Sequence, residues 1–103
     1  KMSNFTISLE QAIIWARSWR NNPPKALAKG HLIPGAALKE LLATENVVNV
    51  RAYMGVDETN TQKLMFVGVD SAGHDMIGEN NSIYDHTEPC PKICDPSSPL
   101  FTP

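Results

Sequence analysis

The sequence predicts an α+β fold: two N-terminal helices packed on a small antiparallel β-meander of two or three strands, followed by an irregular proline- and cysteine-containing tail. Three observations carry that prediction. Apolar residues recur at helical spacing twice before residue 45, the period then changes to two, and a five-residue turn signal separates two strand-like runs. At 103 residues the chain is a single domain, 1–103, with room for one core.

The first helix is expected over 8–20. Ser8-Leu9-Glu10-Gln11 reads as a capping box, and apolar positions 9, 12, 13, 16 and 19 follow it at helical spacing. Asn21-Asn22-Pro23-Pro24 stops it, because proline donates no amide hydrogen and restricts the residue before it. Residues 21–33 are expected to be a loop. Pro34 opens a second helix over 34–44, whose stripe is Ala37, Leu38, Leu41 and Leu42.

Strands are expected over 47–57 and 62–70. In the first, Val48, Val50, Ala52, Met54 and Val56 alternate with Asn49, Arg51 and Tyr53. The second is apolar almost throughout, which suits a strand covered on both faces. Asp57-Glu58-Thr59-Asn60-Thr61 reads as a hairpin loop, and Asp70-Ser71-Ala72-Gly73 as a turn with Gly73 at positive φ. A lone hairpin is marginal in water, so a third strand is expected from Met76–Ile77 or Ser82–Tyr84. The helices should lie on one face, with Ile13, Ala16, Leu38, Leu41, Val48, Val50, Leu64 and Phe66 or Val67 in one core. The tail, 85–103, has no period.

Composition narrows the function classes. There is no apolar run near the length of a membrane span and no basic segment leading into an apolar one, so a cytoplasmic protein without membrane attachment is expected. Lys1 ahead of Met2 reads as an added residue before the native start. Residues 1–44 hold six cations against two carboxylates, and residues 45–103 three against nine, a dipolar arrangement suited to an acidic partner or a second copy. Two solvated faces explain it more simply. Trp15, Trp19, Arg17, Arg20, Lys25 and Lys29 combine aromatic and basic groups, but Arg17 is offset from the tryptophans and the net charge is negative, so nucleic acid is not the expected partner.

The tail offers the one metal-like constellation. Cys90 and Cys94 have the spacing of paired zinc ligands, His86 is a third candidate, and His74 or a carboxylate a fourth. A second Cys/His pair is missing, so three states stay open: zinc, a Cys90–Cys94 disulfide, or free thiols. No other cofactor is indicated. Neither His74-Asp75 nor Asp85-His86 comes with a nucleophile and an orienting group. The Gly-Val-Asp repeats at 55–57 and 68–70 put Asp57 and Asp70 at opposite ends of the hairpin, as turn formers rather than a carboxylate pair. Gly68 to His74 lacks the Lys and Ser/Thr of a phosphate loop.

The segments Arg51–Asp57, Lys63–Asp70, Tyr84-Asp85 and Pro89-Cys90-Pro91-Lys92-Ile93-Cys94-Asp95 together resemble a family of short hypothetical proteins from Bacteroidetes-type bacteria. The resemblance spans Leu9 to Asp95. It implies that the cysteine tail belongs to the pattern, and it implies no activity.

The reading that follows is a non-enzymatic interaction module that self-associates or binds a protein partner. Two sheet edges without proline, a second strand apolar on both faces and oppositely charged halves motivate it. The alternatives are a metal- or thiol-dependent protein using the tail, and an enzyme whose site the sequence does not reveal. A tail folded back as a lid would instead give a monomer.

Overall fold

The computed structural model describes residues 5–25, 27–28, 30–85, 87–90 and 94–100. Helix α1 spans Leu9–Asn21, and Ser8 caps it by accepting the Gln11 amide at 3.1 Å. The reciprocal half of the box is not made: Gln11 turns inward, where its side-chain nitrogen is buried without a partner. Helix α2 spans Gly35–Leu42, shorter than expected, with Pro34 at its N-cap. After it, Asn46 takes a positive φ of 73° and turns the chain into the sheet.

Strand β1 is Thr6–Ile7, β2 Gly30–Leu32, β3 Asn49–Val56, β4 Gln62–Val69, β5 Ile83–Tyr84 and β6 Glu88–Cys90. Four of them form one antiparallel sheet in the order β1-β5-β4-β3, and β2 and β6 form a second, two-stranded one. The sheet is therefore larger than the two- or three-strand meander expected. Of the two candidates for a third strand, the 82–84 segment is used. Two segments read as irregular, in the 21–33 loop and the tail, pair with each other through β2 and β6.

Residues 57–61 form the expected hairpin loop. The Asp57 amide donates to the Thr61 carbonyl and the Asn60 amide to that of Asp57, both at 3.0 Å, with Asn60 at a φ of 65°. Asp57 Oδ1 accepts the Thr59 and Thr61 amides and the Thr59 hydroxyl. Asp70 repeats the device on the Ala72 and His74 amides, beside Gly73 at a φ of 86°. Both aspartates are the turn formers the sequence predicts.

The helices lie on opposite faces of the sheet, not on one. Odd-numbered β4 residues Met65 and Val67 pack with Ala12, Trp15 and Ile83 under α1. Even-numbered Phe66 packs with Ala37, Leu41 and Tyr84 under α2, its ring stacked on Tyr84 at 5.4 Å. The single core expected is thus two half-cores that share β4, which explains why this strand is apolar on both sides. Leu41, Phe66 and Val67 are buried as expected, but Ile13, Val48 and Val50 are exposed. Their side chains sit outside the two clusters: α1 turns Ala12 and Trp15 inward, and α2 packs on β4.

Candidate functional site

Strand β3 is the edge of the four-stranded sheet, and its exposure is uneven. Residues 49–54 are exposed, whereas Gly55 and Val56 are buried. Near that covered end the Ala28 amide donates to Gln62, the residue paired with Val56. At the other end Val48 and Asn49 both face Val69, and the Val48 amide turns inward to the Val69 carbonyl at 2.9 Å. Two residues opposing one is a β-bulge, and it closes the free edge on that side.

The phase of the ladder decides which backbone groups remain open. In an antiparallel pair, hydrogen-bonded and non-hydrogen-bonded residue pairs alternate. Asp57 and Thr61 exchange a bond, so the same register makes Gly55–Lys63, Tyr53–Met65 and Arg51–Val67 the bonded pairs. The N–H and C=O groups of Val50, Ala52 and Met54 therefore point away from β4, toward solvent. Their side chains share the α2 face with Gly68, Phe66 and Leu64, their respective partners across the ladder. There Val50 is 38% exposed and Met54 50%. The apolar row that the sequence assigns to the core is, from 50 to 54, an open surface.

The opposite face of β3 carries a polar cluster. Asp75, held by a bridge between Val69 and itself, takes the Arg51 guanidinium at 2.5 Å and the Tyr53 hydroxyl. The hydrogen bond to Asp75 raises the Tyr53 phenol above its ordinary value, so the phenol stays protonated and donates. Arg51 is raised by the same partner. One oxygen of Asp75 holds Arg51 and the other Tyr53, so the cluster fastens the 70–76 turn to β3. Beside it, a cavity of about 270 Å³ runs under α1, lined by Ala12, Ile13, Ala16, Val67 and Ile83 with Arg20, Tyr53 and Asp75 at its polar wall.

Other polar groups are likewise committed. The Trp15 indole donates to Glu58 at 3.1 Å, tying α1 to the hairpin loop, and Lys63 stands over its ring at 5.9 Å. Trp15 is thus a buried anchor, not a stacking platform. The Tyr84 hydroxyl donates to Glu40 at 2.9 Å; burial and that carboxylate push it up to about 12. Thr87, buried, bridges the amide and carbonyl of Leu64 on the far side of β4.

In the tail, Cys90 and Cys94 form a disulfide with Cα atoms 4.9 Å apart. In that oxidised state neither sulfur is a thiolate ligand. His86, the third candidate, lies outside the described residues, as does Lys29; His74 is exposed in the 70–74 turn. Among the described residues no three His, Cys, Asp or Glu side chains gather as a metal site. Among them, too, no helix is long and apolar enough to cross a membrane.

Compared with known proteins, the chain matches no family model, no curated protein and no solved structure. The sequence contained the signals for Asp57, Asp70 and the cysteine pair. It gave none for Asp75, which meets Arg51 and Tyr53 only through a turn of the folded chain.

Proposed function

We infer that this domain is a non-enzymatic interaction module that receives a β-strand on the free edge of β3. The observation that supports this reading is the open 49–54 edge, with its outward backbone groups and an exposed apolar row beside them. Natural edges are blunted with proline, charge, bulges or cover; this stretch has no proline, its one charge, Arg51, is held by Asp75, and the bulge lies at its end, at Val48–Asn49. Strand addition uses such an edge for affinity through the main chain, and alternate side chains for specificity.

The magnitudes place it among reversible contacts. Val50, Ala52 and Met54 offer three donors and three acceptors. Each bond contributes about 1 kcal/mol net, against a cost of roughly 4–15 kcal/mol for lost freedom. The apolar row must supply the remainder, so association belongs in the micromolar range or weaker.

Amide exchange tests the reading. The Val50, Ala52 and Met54 amides should exchange more slowly at hundreds of micromolar protein than at a few micromolar. Ala52→Lys, which puts a charge on the edge at an exposed position outside the two clusters, should abolish the difference. Equal exchange at both concentrations counts against the proposal.

A further inference from the structure

Building on that reading of the edge, we propose that the strand received by β3 is β3 of a second copy, antiparallel and related by a two-fold axis through Ala52. A two-fold axis perpendicular to the sheet keeps each face of one copy continuous with the same face of the other. Opposed residues must then share a face, so even numbers meet even numbers and the axis passes through a residue. Only three such registers use the free edge.

An axis at Tyr53 would pair Val50 with Val56, whose whole residue is buried and whose edge is closed. An axis at Arg51 would pair Val48 with Met54, but the Val48 amide is already turned to Val69. It would also set Arg51 directly against its own image, and like charges opposed across strands are unfavourable. The axis at Ala52 alone engages every open group, with Val50 bonded to Met54 of the partner subunit, Ala52 to its image, and Met54 to Val50. On the α2 face the exposed Val50 and Met54 cover each other on either side of the small Ala52. On the α1 face Arg51 meets the partner's Tyr53, and no like charges face one another. The sequence around Ala52 is thus self-complementary in hydrogen bonding and size, with no like charges opposed.

Cysteine cross-linking in the full chain reads the register. Facing residues of a bonded antiparallel pair have Cα atoms about 5.5 Å apart, inside the disulfide range of about 4.4–6.8 Å. Under mild oxidation most chains of Ala52→Cys should become cross-linked, with the 52–52 bond identified by peptide mapping apart from Cys90–Cys94. Val50→Cys and Met54→Cys should each stay uncross-linked alone, since each is four residues from its image, and should cross-link to one another when mixed. The mixed pair leaves Ala52 intact and guards against an effect of that substitution. If the edge amides gain protection with concentration but the pattern is absent, or if all three single variants cross-link equally, the register is overturned and the strand-addition reading stands. If the amides gain no protection and no variant cross-links, both fall.

Discussion

Gly55 decides which face of β3 a helix can use. A Cβ placed there would lie 2.9 Å from the Trp15 Cβ and 3.1 Å from its carbonyl carbon. The second contact is backbone, so the helix itself would have to lift. Gly68 is tight too, but the nearest atoms a Cβ would meet, Val47 Cγ2 at 2.7 Å and Val47 Cγ1 and Leu41 Cδ1 at 3.4 Å, all belong to side chains. Gly55→Ala should therefore lower stability by about 1–3 kcal/mol, and Gly68→Ala by clearly less. Urea midpoints at unchanged m-values would show it, and equal effects would contradict the close approach of α1. The alternation in 47–57 declared two faces without saying which one is covered. The apolar row looked like the inner face; the glycine opposite Lys63 settled the matter the other way. Asp57 and Asp70 were legible because their turns are local, with acceptor and amides two to four residues apart.

Elements built from distant short pieces were not legible. β2 and β6 are three residues each, lie far apart in the chain, and Pro89 sits inside the second, so neither carries a strand pattern. Their pairing is supported at one end by the Cys90–Cys94 disulfide, adjacent to the Gly30–Cys90 pair. Closing so small a loop contributes about 2 kcal/mol by chain entropy. Cys90→Ser should lower stability by about that amount while the far-UV dichroism of the main sheet is kept. The untreated parent should show no titratable thiol from this pair. One equivalent of zinc in the purified protein would instead support His86, Cys90 and Cys94 as ligands. Since disulfides persist mainly in oxidising compartments, the thiol count also bears on the cytoplasmic location expected from the sequence.

The whole molecule should lose stability on acidification in two separate windows. Burial, with Lys63 nearby, lowers His31 below 6.5, and its Nδ1 is buried without a partner. The fold thus holds the neutral ring, and the unfolded chain takes up the proton first. The stability tied to neutral His31 is complete above about pH 6.5 and declines as pH falls toward the folded value. The second window lies below 3.8. Burial opposes ionisation of Asp57, but hydrogen bonds from Thr59 and Thr61 outweigh it; the His74 amide leads the effect on Asp70. Stability from both is present above 3.8 and lost as pH drops through their lowered values. Urea midpoints against pH should show both declines, and His31→Gln should flatten the upper one alone. An unchanged upper limb in the variant would remove His31 from the account.

The far border of the same sheet has a different consequence. β1 is only two residues long, Thr6–Ile7, and stands opposite β3 in the strand order. In the proposed pair the outermost strand on either flank would be β1, too brief to seed another ladder. Growth by stacking sheets side by side therefore has a built-in terminator. On the proposed pairing, a surface that in a longer-bordered sheet would invite fibrils would instead give a finite, closed pair.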